Sequence, residues 1–195
     1  MTREIGIALR MTLATLVLTG LLYPFAVTGL ARVLFPAAAH GTLVRNGNGR
    51  VVGSLLIAQP FVRPAYLQPR PSAAGAGYDA AASSGSNLGT TSQKLHDRAA
   101  ADVERLHAEN PDAPGPVPVE LVTASASGLD PHLSPAAALW QAPRIARARG
   151  VQVERVRAVI ESEVEGRTFG VVGEPRVNVL AVNLALDGRF GEHAE

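Results

Sequence analysis

The first hydrophobic segment of the chain is also the longest uncharged one. Met11 to Ala31 form a run of 21 residues without a charged side chain, and Arg10 and Arg32 stand at its two ends. As a helix, such a run rises roughly 30 Å, which is the thickness of the hydrocarbon core of a bilayer. The pattern therefore predicts a single membrane-spanning helix over residues 11–35.

A secretory signal peptide is the alternative for this segment. Signal peptides carry an apolar region of roughly 7 to 15 residues followed by small residues, which Ala37–Ala39 resemble. The run here is longer, which favours an uncleaved span. Its small residues Gly20 and Gly29, together with Pro24, suit close packing against another membrane helix. Arginines flank both ends, so charge alone does not predict the orientation.

Hydrophobic periodicity beyond the span predicts strands and helices in no regular order. Strands are expected at Val51–Ile57 after the turn-rich Asn46–Gly49, at Val117–Leu121, and at Val177–Leu186, where the pattern also allows a helix. Helices are expected from Thr90 to Glu109 with a capping box at Thr90 and Gln93, from Ser134 to Gly150 with a break at Pro143, and from Val151 to Glu165 ending at Gly166. We therefore predict a short tail of residues 1–10, the span of residues 11–35, and one small mixed α/β domain of the α+β class over residues 36–195.

The segment of residues 60–89 is rich in Pro, Gly, Ala and Ser, a composition that is typical of a flexible linker. Phe61, Tyr66 and Tyr78 argue against that interpretation, because a disordered linker seldom needs aromatic side chains. We therefore expect an ordered loop.

Composition excludes several classes of function. The chain has 195 residues, a net charge of +1 and one lysine, Lys94, so it offers no basic surface for nucleic acid. It has no cysteine, which removes disulfides, thiolate catalysis and zinc sites with sulfur ligands. No glycine-rich segment matches the phosphate-binding P-loop of ATPases.

One loop contains the residue types of a nucleophilic triad, in Ser127, Asp130 and His132. A membrane-anchored extracytoplasmic hydrolase or binding module is therefore an alternative function, although the GxSxG motif of many hydrolases is missing. The charged residues Arg144, Arg147 and Arg149 are more typical of a solvated helix face than of a phosphate site.

Six segments resemble those of one known family, the C subunit of the bacterial Kdp potassium-transporting ATPase. They are residues 53–59 (GSLLIAQ), 66–73 (YLQPRPSA), 77–89 (GYDAAASSGSNLG), 118–135 (PVELVTASASGLDPHLSP), 173–179 (GEPRVNV) and 183–187 (NLALD). Together with the span and its Tyr23–Pro24, the resemblance covers nearly the whole chain.

The resemblance implies a non-catalytic accessory subunit of an ATP-driven potassium import pump. Its partners would be a potassium-channel-like subunit and a P-type ATPase subunit. Its helix would lie in the bacterial inner membrane, with the N-terminus in the cytoplasm and the domain outside it. The subunit would stabilise the pump and raise the ATP affinity of the ATPase subunit, so that ATP and potassium are handled by the complex and no cofactor is assigned to this chain.

The resemblance also implies candidate site residues. The family segment proposed to touch nucleotide is similar to residues 122–131, whose candidates are Thr123, Ser125, Ser127, Gly128 and Asp130. An ordered loop at residues 60–89 suits a surface moulded to partner subunits, and its candidates for partner contact are Tyr66, Arg70, Tyr78, Asp79 and Asn87. A further interpretation is that Asp79, Glu120 and Asp130 attract potassium ions to the surface of the domain.

Overall fold

A computed structural model of the chain describes residues 1–46 and 49–192. The chain divides into two compact units, Met1–Val51 and Val52–Glu195. The turn predicted at Asn46–Gly49 falls partly on residues 47 and 48, which lie outside the described residues.

The first unit is dominated by one continuous helical segment, Thr2–Leu34, which is long and apolar enough to cross a membrane. It consists of α1 (Thr2–Val17), one turn of π-helix (Leu18–Leu22) and α2 (Tyr23–Leu34). This agrees with the predicted span, although the helix begins nine residues before Met11.

The π turn lies directly before the proline of the span. Pro24 has no N–H group, so it cannot donate to the carbonyl of Gly20 four residues earlier. A wider turn over Leu18–Leu22 accommodates this missing hydrogen bond without ending the helix. The hydroxyl groups of Thr15 and Thr19 donate to the carbonyls of Met11 and Thr15 at 2.7 and 2.8 Å, so these polar side chains are satisfied within the helix.

After the span come the short helix α3 (Pro36–Ala39) and a two-stranded sheet of β1 (Leu43–Arg45) and β2 (Val51–Ser54). The prediction of a buried strand reaching Ile57 is wrong, because β2 ends at Ser54 and the side chains of Val51 and Val52 are exposed.

The second unit is an α+β domain, as predicted. Its helices are α4 (Gln93–Glu109), α5 (Pro135–Trp140), α6 (Ala142–Arg149), α7 (Val153–Ser162) and α8 (Val179–Phe190). Its three-stranded antiparallel sheet has the order β3 (His132–Leu133), β5 (Arg176–Asn178), β4 (Val164–Glu165).

Helices α5 to α8 pack together with this sheet around one hydrophobic core. Its most deeply buried members are aliphatic: Leu67, Leu133, Ile145, Val156, Ile160, Val177, Val182 and Leu186. All but one of these residues come from regular elements. The exception, Leu67, belongs to the proline-rich segment, which is therefore part of the folded domain.

The segment of residues 60–89 has no helix or strand but is ordered, as its aromatic residues predicted. Ala65, Leu67 and Ala74 are at most 1% exposed. A linker would leave these side chains in solvent, so the segment is a structural loop.

The helix starts and stops of α5 and α6 are confirmed. The Ser134 side chain accepts a hydrogen bond from the Ala137 N–H, and the chain breaks before Pro143. Helix α6 ends at Gly150, which adopts the left-handed conformation with φ of 63°.

Three other element predictions are wrong. Helix α4 begins after Ser92 at Gln93, so Thr90 is not its cap. Val119–Leu121 is one turn of 3₁₀-helix and not a strand. Helix α7 ends at Ser162, because Val164 and Glu165 pair with β5. For Val177–Leu186 the pattern favoured a strand but also allowed a helix, and the chain is a strand only at its start, in β5, and helical from Val179.

Candidate functional site

Two loops that the family resemblance singled out lie against each other in the second unit. We call residues 60–89 the proline-rich loop and residues 122–132 the serine–glycine loop, and together they form the two-loop surface. The loops are joined by side-chain and backbone hydrogen bonds, described below pair by pair.

An ion pair joins the two loops at their half-buried edge. Arg70 Nη1 lies 3.1 Å from Asp130 Oδ2, and both side chains are about one-quarter to one-third exposed. Arg70 Nη2 lies 3.5 Å from the carbonyl oxygens of Thr123 and Ala124. One guanidinium group from the proline-rich loop therefore contacts three residues of the serine–glycine loop.

Ser72 and Tyr78 form a second connection. The Ser72 hydroxyl donates to the Gly128 carbonyl at 2.6 Å and accepts from the Tyr78 N–H at 2.8 Å. The Tyr78 hydroxyl donates to the Arg70 carbonyl at 2.8 Å, and burial raises the pKa of this phenol. Tyr78 therefore holds the proline-rich loop in the shape that presents Arg70 and Ser72 to the other loop.

The backbones approach most closely at Gly128 and Gly85. A Cβ atom on Gly128 would lie 2.6 Å from the Ser84 carbonyl oxygen, and one on Gly85 would lie 2.8 Å from the Ala126 carbonyl oxygen. The Ser84 N–H also donates to the Ser127 carbonyl at 3.0 Å. Only glycine leaves room for this approach, which explains both glycines in physical terms.

The nucleotide candidates are together in the serine–glycine loop, but most of their polar groups are already engaged. Thr123 Oγ1 donates to the Val119 carbonyl at 2.9 Å, and Ser127 Oγ accepts from the Leu129 N–H at 3.1 Å. Ser125 is buried. These groups therefore hold the serine–glycine loop in its folded shape, and few of their hydrogen-bond donors are free to bind a nucleotide.

The hydrolase alternative is not supported by the geometry. In the part of the chain that the structure describes, no hydrogen bond joins the Ser127 hydroxyl to His132. Asp130 Oδ1 accepts from the His132 backbone N–H at 3.1 Å, while its other oxygen faces Arg70. A triad requires the histidine between the serine and the carboxylate. His132 Nδ1 lies 3.7 Å from Asp130 Oδ1, but among the described residues the link from the histidine to Ser127 is missing.

The five partner-contact candidates divide by exposure. Arg70 and Tyr78 are half-buried within the two-loop surface, and Tyr66 is half-buried with its hydroxyl 3.1 Å from Asp187 Oδ2. Asp79 and Asn87 are exposed, and Asn87 adopts a left-handed φ of 51°. The exposed pair is available to a partner, whereas the other three shape the surface.

Two of the three carboxylates suggested to attract potassium are engaged elsewhere. Glu120 accepts hydrogen bonds from the backbone N–H and the hydroxyl of Ser134, at the start of α5. Asp130 pairs with Arg70, whereas the exposed Asp79 accepts a hydrogen bond from the nearby Ala81 N–H at 2.9 Å.

Sequence reasoning missed the buried polar residues that hold the proline-rich loop. The Asn183 side chain accepts from the Leu67 N–H at 2.7 Å and donates to the Leu67 carbonyl at 3.0 Å. Gln141 does the same for Gln68, at 2.9 and 3.0 Å. These amides replace the neighbouring strand that the loop lacks, so its backbone is satisfied inside the domain.

Two of the three arginines of α6, Arg144 and Arg149, differ from the prediction of a solvated face, whereas Arg147 is about half exposed. Arg144 is 2% exposed, and its guanidinium group donates to the Pro64 and Tyr66 carbonyls at 2.6 and 3.1 Å. Burial lowers its pKa to about 10. Arg149 is also buried at its side chain and pairs with Asp187 at 2.7 Å. Their signal in the sequence was indistinguishable from that of solvated arginines.

A cleft of about 400 Å³ lies between the proline-rich loop and α4. Arg105 lies on the α4 side of it, with ion pairs to Asp102 at 3.1 Å and Glu109 at 3.0 Å on the same helix. Burial by itself would lower the pKa of the Arg105 guanidinium, but its hydrogen bonds to the two carboxylates together have the larger effect, so the pKa is raised. One arginine therefore serves two carboxylates on this wall of the cleft, and Phe61 and Tyr78 line the opposite side.

The membrane-packing candidates lie on the apolar helix. An added Cβ would meet nothing within 4 Å at Gly29, and at Gly20 only the Leu16 side chain at 3.5 Å. These glycines are therefore not required by contacts within the chain.

Comparisons with known proteins identify the same family as the sequence resemblance. The family model described as "K+-transporting ATPase, c chain" matches residues 5–188. A potassium-transporting ATPase KdpC subunit of Myxococcus xanthus is 71% identical over 184 residues, which is 94% of this chain and 87% of the relative. The KdpC subunit of Rhodospirillum rubrum is 54% identical over 190 residues, covering 97% of this chain and 98% of the relative. The chain belongs to the KdpC family, the c subunits of the K⁺-transporting ATPase.

Proposed function

We propose that this chain is a non-catalytic accessory subunit that assembles with the channel-like and P-type ATPase subunits of a potassium import pump. It stabilises the assembly and raises the ATP affinity of the ATPase subunit. The helix of residues 11–35 spans the bacterial inner membrane, with the short tail of residues 1–10 in the cytoplasm and the domain of residues 36–195 outside it.

The proposal rests mainly on one observation: the two loops of the two-loop surface are joined to each other by hydrogen bonds and an ion pair. Its hydroxyl, carboxylate and guanidinium groups are used between the loops, as in Ser72 to Gly128 and Arg70 to Asp130. A surface held in this way loses little conformational entropy when it binds a partner. It supports a role in assembly rather than in catalysis.

The domain and the nucleotide lie on opposite sides of the membrane in this arrangement. An effect on ATP affinity therefore has to pass through the membrane helices as a coupling free energy, which is typically about 1–3 kcal/mol. Thr123, Ser125, Ser127, Gly128 and Asp130 then act by holding the shape that partners recognise. Direct contact with ATP is not needed.

Steady-state kinetics test the proposal. The full chain, purified alone in detergent, should hydrolyse no ATP, whereas the pump that contains it should show a lower KM for ATP than the pump purified without it. A coupling of the typical size corresponds to a change in ATP affinity of roughly 5- to 150-fold, and KM reports this change where ATP dissociation is faster than the chemical step. Turnover by the chain alone that is lost in Asp130→Asn would contradict the non-catalytic assignment. An unchanged KM would contradict the role in ATP affinity.

A further inference from the structure

The connection between β4 and β5 is a projecting arm, residues 166–175. Near its end, Thr168 and Val172 exchange backbone hydrogen bonds of 2.9 and 3.0 Å, which close a tight turn over Phe169, Gly170 and Val171. The arm is therefore an ordered hairpin, continuous with the sheet at its base.

The end of this arm is strongly apolar and strongly exposed. Phe169 is 94% exposed, and Val171 and Val172 are 73% and 61% exposed. We call these three side chains the arm tip. Single exposed apolar residues are common on protein surfaces, but three on one turn form a patch, and such patches mark interaction sites.

The turn at the tip explains the left-handed backbone but not the choice of phenylalanine. The Val171 N–H donates to the Thr168 carbonyl at 3.2 Å, and a tight hairpin turn of this kind has both of its central residues left-handed. Phe169 has φ of 54° and Gly170 has φ of 77°, so two successive residues are left-handed. Glycine and asparagine adopt this conformation readily, whereas it is uncommon for a bulky residue. A phenylalanine here makes no core contact in return, so the position presents its ring to a binding partner.

The charged residues of the arm are paired with one another. Arg167 lies 2.6 Å from Glu174, and Arg176 at the base of the arm lies 2.8 Å from Glu165. These four are the only charged residues between Val164 and Arg176. The arm therefore carries no net charge, and its attraction to a partner depends on the apolar tip.

This charge balance favours a protein partner over a lipid surface. Segments that bind membrane interfaces commonly add basic residues that attract anionic lipids, and here each arginine has its own carboxylate. The chain also has an apolar helix long enough to span the membrane, and one exposed ring adds little to such an anchor. An aromatic ring on an ordered turn is instead typical of the anchor residues at protein interfaces.

We propose that Phe169 is an interface anchor whose ring inserts into an apolar pocket on a partner subunit of the pump, with Val171 and Val172 against the rim of that pocket. The inference rests on the proposed assembly with pump subunits and adds the residue, the surface and the chemistry of the contact.

Photo-crosslinking in native membranes tests the contact directly. A benzophenone amino acid replaces Phe169 in the full chain, expressed with the rest of the pump, and the same replacement at Val119 serves as the control. Val119 is also apolar and 72% exposed but lies outside the arm and outside both loops of the two-loop surface. The expected result is a crosslink to one pump subunit from position 169 and a much weaker crosslink, or none, from position 119. Adducts with lipid alone, or no adduct in a pump that copurifies intact, would overturn the inference.

A second measurement separates binding from folding. Phe169→Gly removes the ring and also relieves the left-handed strain, so the domain should unfold at an equal or higher urea concentration. The affinity of the full chain for pump particles lacking it should fall about 30-fold, the size typical of an interface anchor. Val119→Ser, outside the arm and both loops, should change that affinity less than twofold. Equal affinities for Phe169→Gly and wild type would contradict the anchor.

The two failures are distinguishable. If the wild-type chain does not associate with pump particles at all, the proposed function fails. If the wild type binds and Phe169→Gly binds equally well, only the anchor fails.

Discussion

Gly128 lies at the closest approach of the two loops. It adopts φ of 68°, and an added Cβ would lie within 3 Å of both the Ser84 carbonyl oxygen and the Ala74 nitrogen. These atoms belong to the backbone, so they cannot move aside as the end of a side chain would. The close approach of the two loops therefore requires glycine at position 128.

Replacing Gly128 with alanine should destabilise the domain by at least about 2 kcal/mol, because left-handed strain and a backbone clash act together. Urea unfolding of the full chain in detergent, followed by the fluorescence of the single tryptophan, the buried Trp140, measures this change. Gly188→Ala in helix α8 is the matched control, because its Cβ would meet nothing within 4 Å. The control should be neutral or slightly stabilising. Equal stability of the two variants would contradict the packing described here.

The raised pKa of Tyr78 leads to a prediction about how the stability of the domain depends on pH. Burial raises its pKa in the folded protein above the value of about 10 in the unfolded chain. The unfolded chain therefore releases this proton first, so the contribution of Tyr78 to stability is complete below pH 10 and is lost as the pH rises above it.

The test compares wild type with Tyr78→Phe. The variant loses the hydrogen bond to the Arg70 carbonyl, which should cost about 1 kcal/mol at pH 8. The difference in unfolding free energy between the two proteins should shrink above pH 10. The variant is needed as a reference because Arg144 also affects stability in this pH range. Burial lowers the pKa of Arg144, so its contribution to the free energy of unfolding rises with pH while that of Tyr78 falls. A difference that stays constant to pH 11 would contradict the assignment.

At the scale of the elements, helix α6 has a role that the sequence did not predict: it holds the backbone of the proline-rich loop. It supplies Arg144, whose donors satisfy carbonyls of the proline-rich loop, and its N-terminal neighbour Gln141 pairs with the backbone of Gln68. Segments without strand partners normally leave backbone groups to solvent. Here polar side chains from helices take the place of a partner strand, which is how a loop rich in proline and glycine becomes part of the core.

Arg144→Met should therefore destabilise the domain by roughly 2–4 kcal/mol, because the carbonyls of Pro64 and Tyr66 lose their donors in a buried site. Arg147→Met on the same helix is the control. Arg147 is about half exposed and pairs with Asp112, so its loss should cost about 1 kcal/mol or less. Urea unfolding of both variants gives the comparison, and a cost for Arg144→Met as small as that for Arg147→Met would contradict this role.

The apolar helix carries a prediction about assembly. Neither Gly29 within it nor Gly6 near its N-terminus has an atom within 4 Å of an added Cβ, so leucine at either position fits the chain by itself. If Gly29 packs against another membrane helix, Gly29→Leu should reduce recovery of the chain with the pump severalfold, while Gly6→Leu should not. Equal recovery of the two variants from detergent-solubilised membranes would exclude packing at Gly29.

Local signals in the sequence predicted some elements well, and non-local contacts decided the others. Ser134 and Pro135 start a helix by their own chemistry, and α5 begins there. Residues 179–190 are apolar on most sides because α8 is buried, which removes the periodicity that distinguishes helix from strand. Asn178 caps that helix by accepting from the Ala181 N–H, a signal that the alternating pattern concealed.

The candidate site, like the fold, was predictable from the sequence only in part. The resemblance identified both loops, because their segments are long and specific. The partners that hold them, such as Asn183 and Arg144, lie far along the chain and look like ordinary polar residues in a helix. Their importance comes from burial, which only the folded domain reveals.

At the scale of the whole molecule, the chain combines an apolar helix with an α+β domain, and its net charge is +1. Three of its features are ones that the proposed assembly with pump subunits would use: small residues on the apolar helix, the two-loop surface and the exposed arm tip. The family to which the chain belongs is that of a K⁺-transporting ATPase subunit.

Copurification tests the proposed assembly. The full chain carries an affinity tag at its C-terminus, membranes from potassium-starved cells are solubilised in mild detergent, and the proteins retained with the chain are quantified. We expect a P-type ATPase and a large channel-like membrane protein in a fixed stoichiometric ratio to the chain. Recovery of the chain alone, from extracts in which the intact pump is demonstrably present, would contradict the proposed assembly.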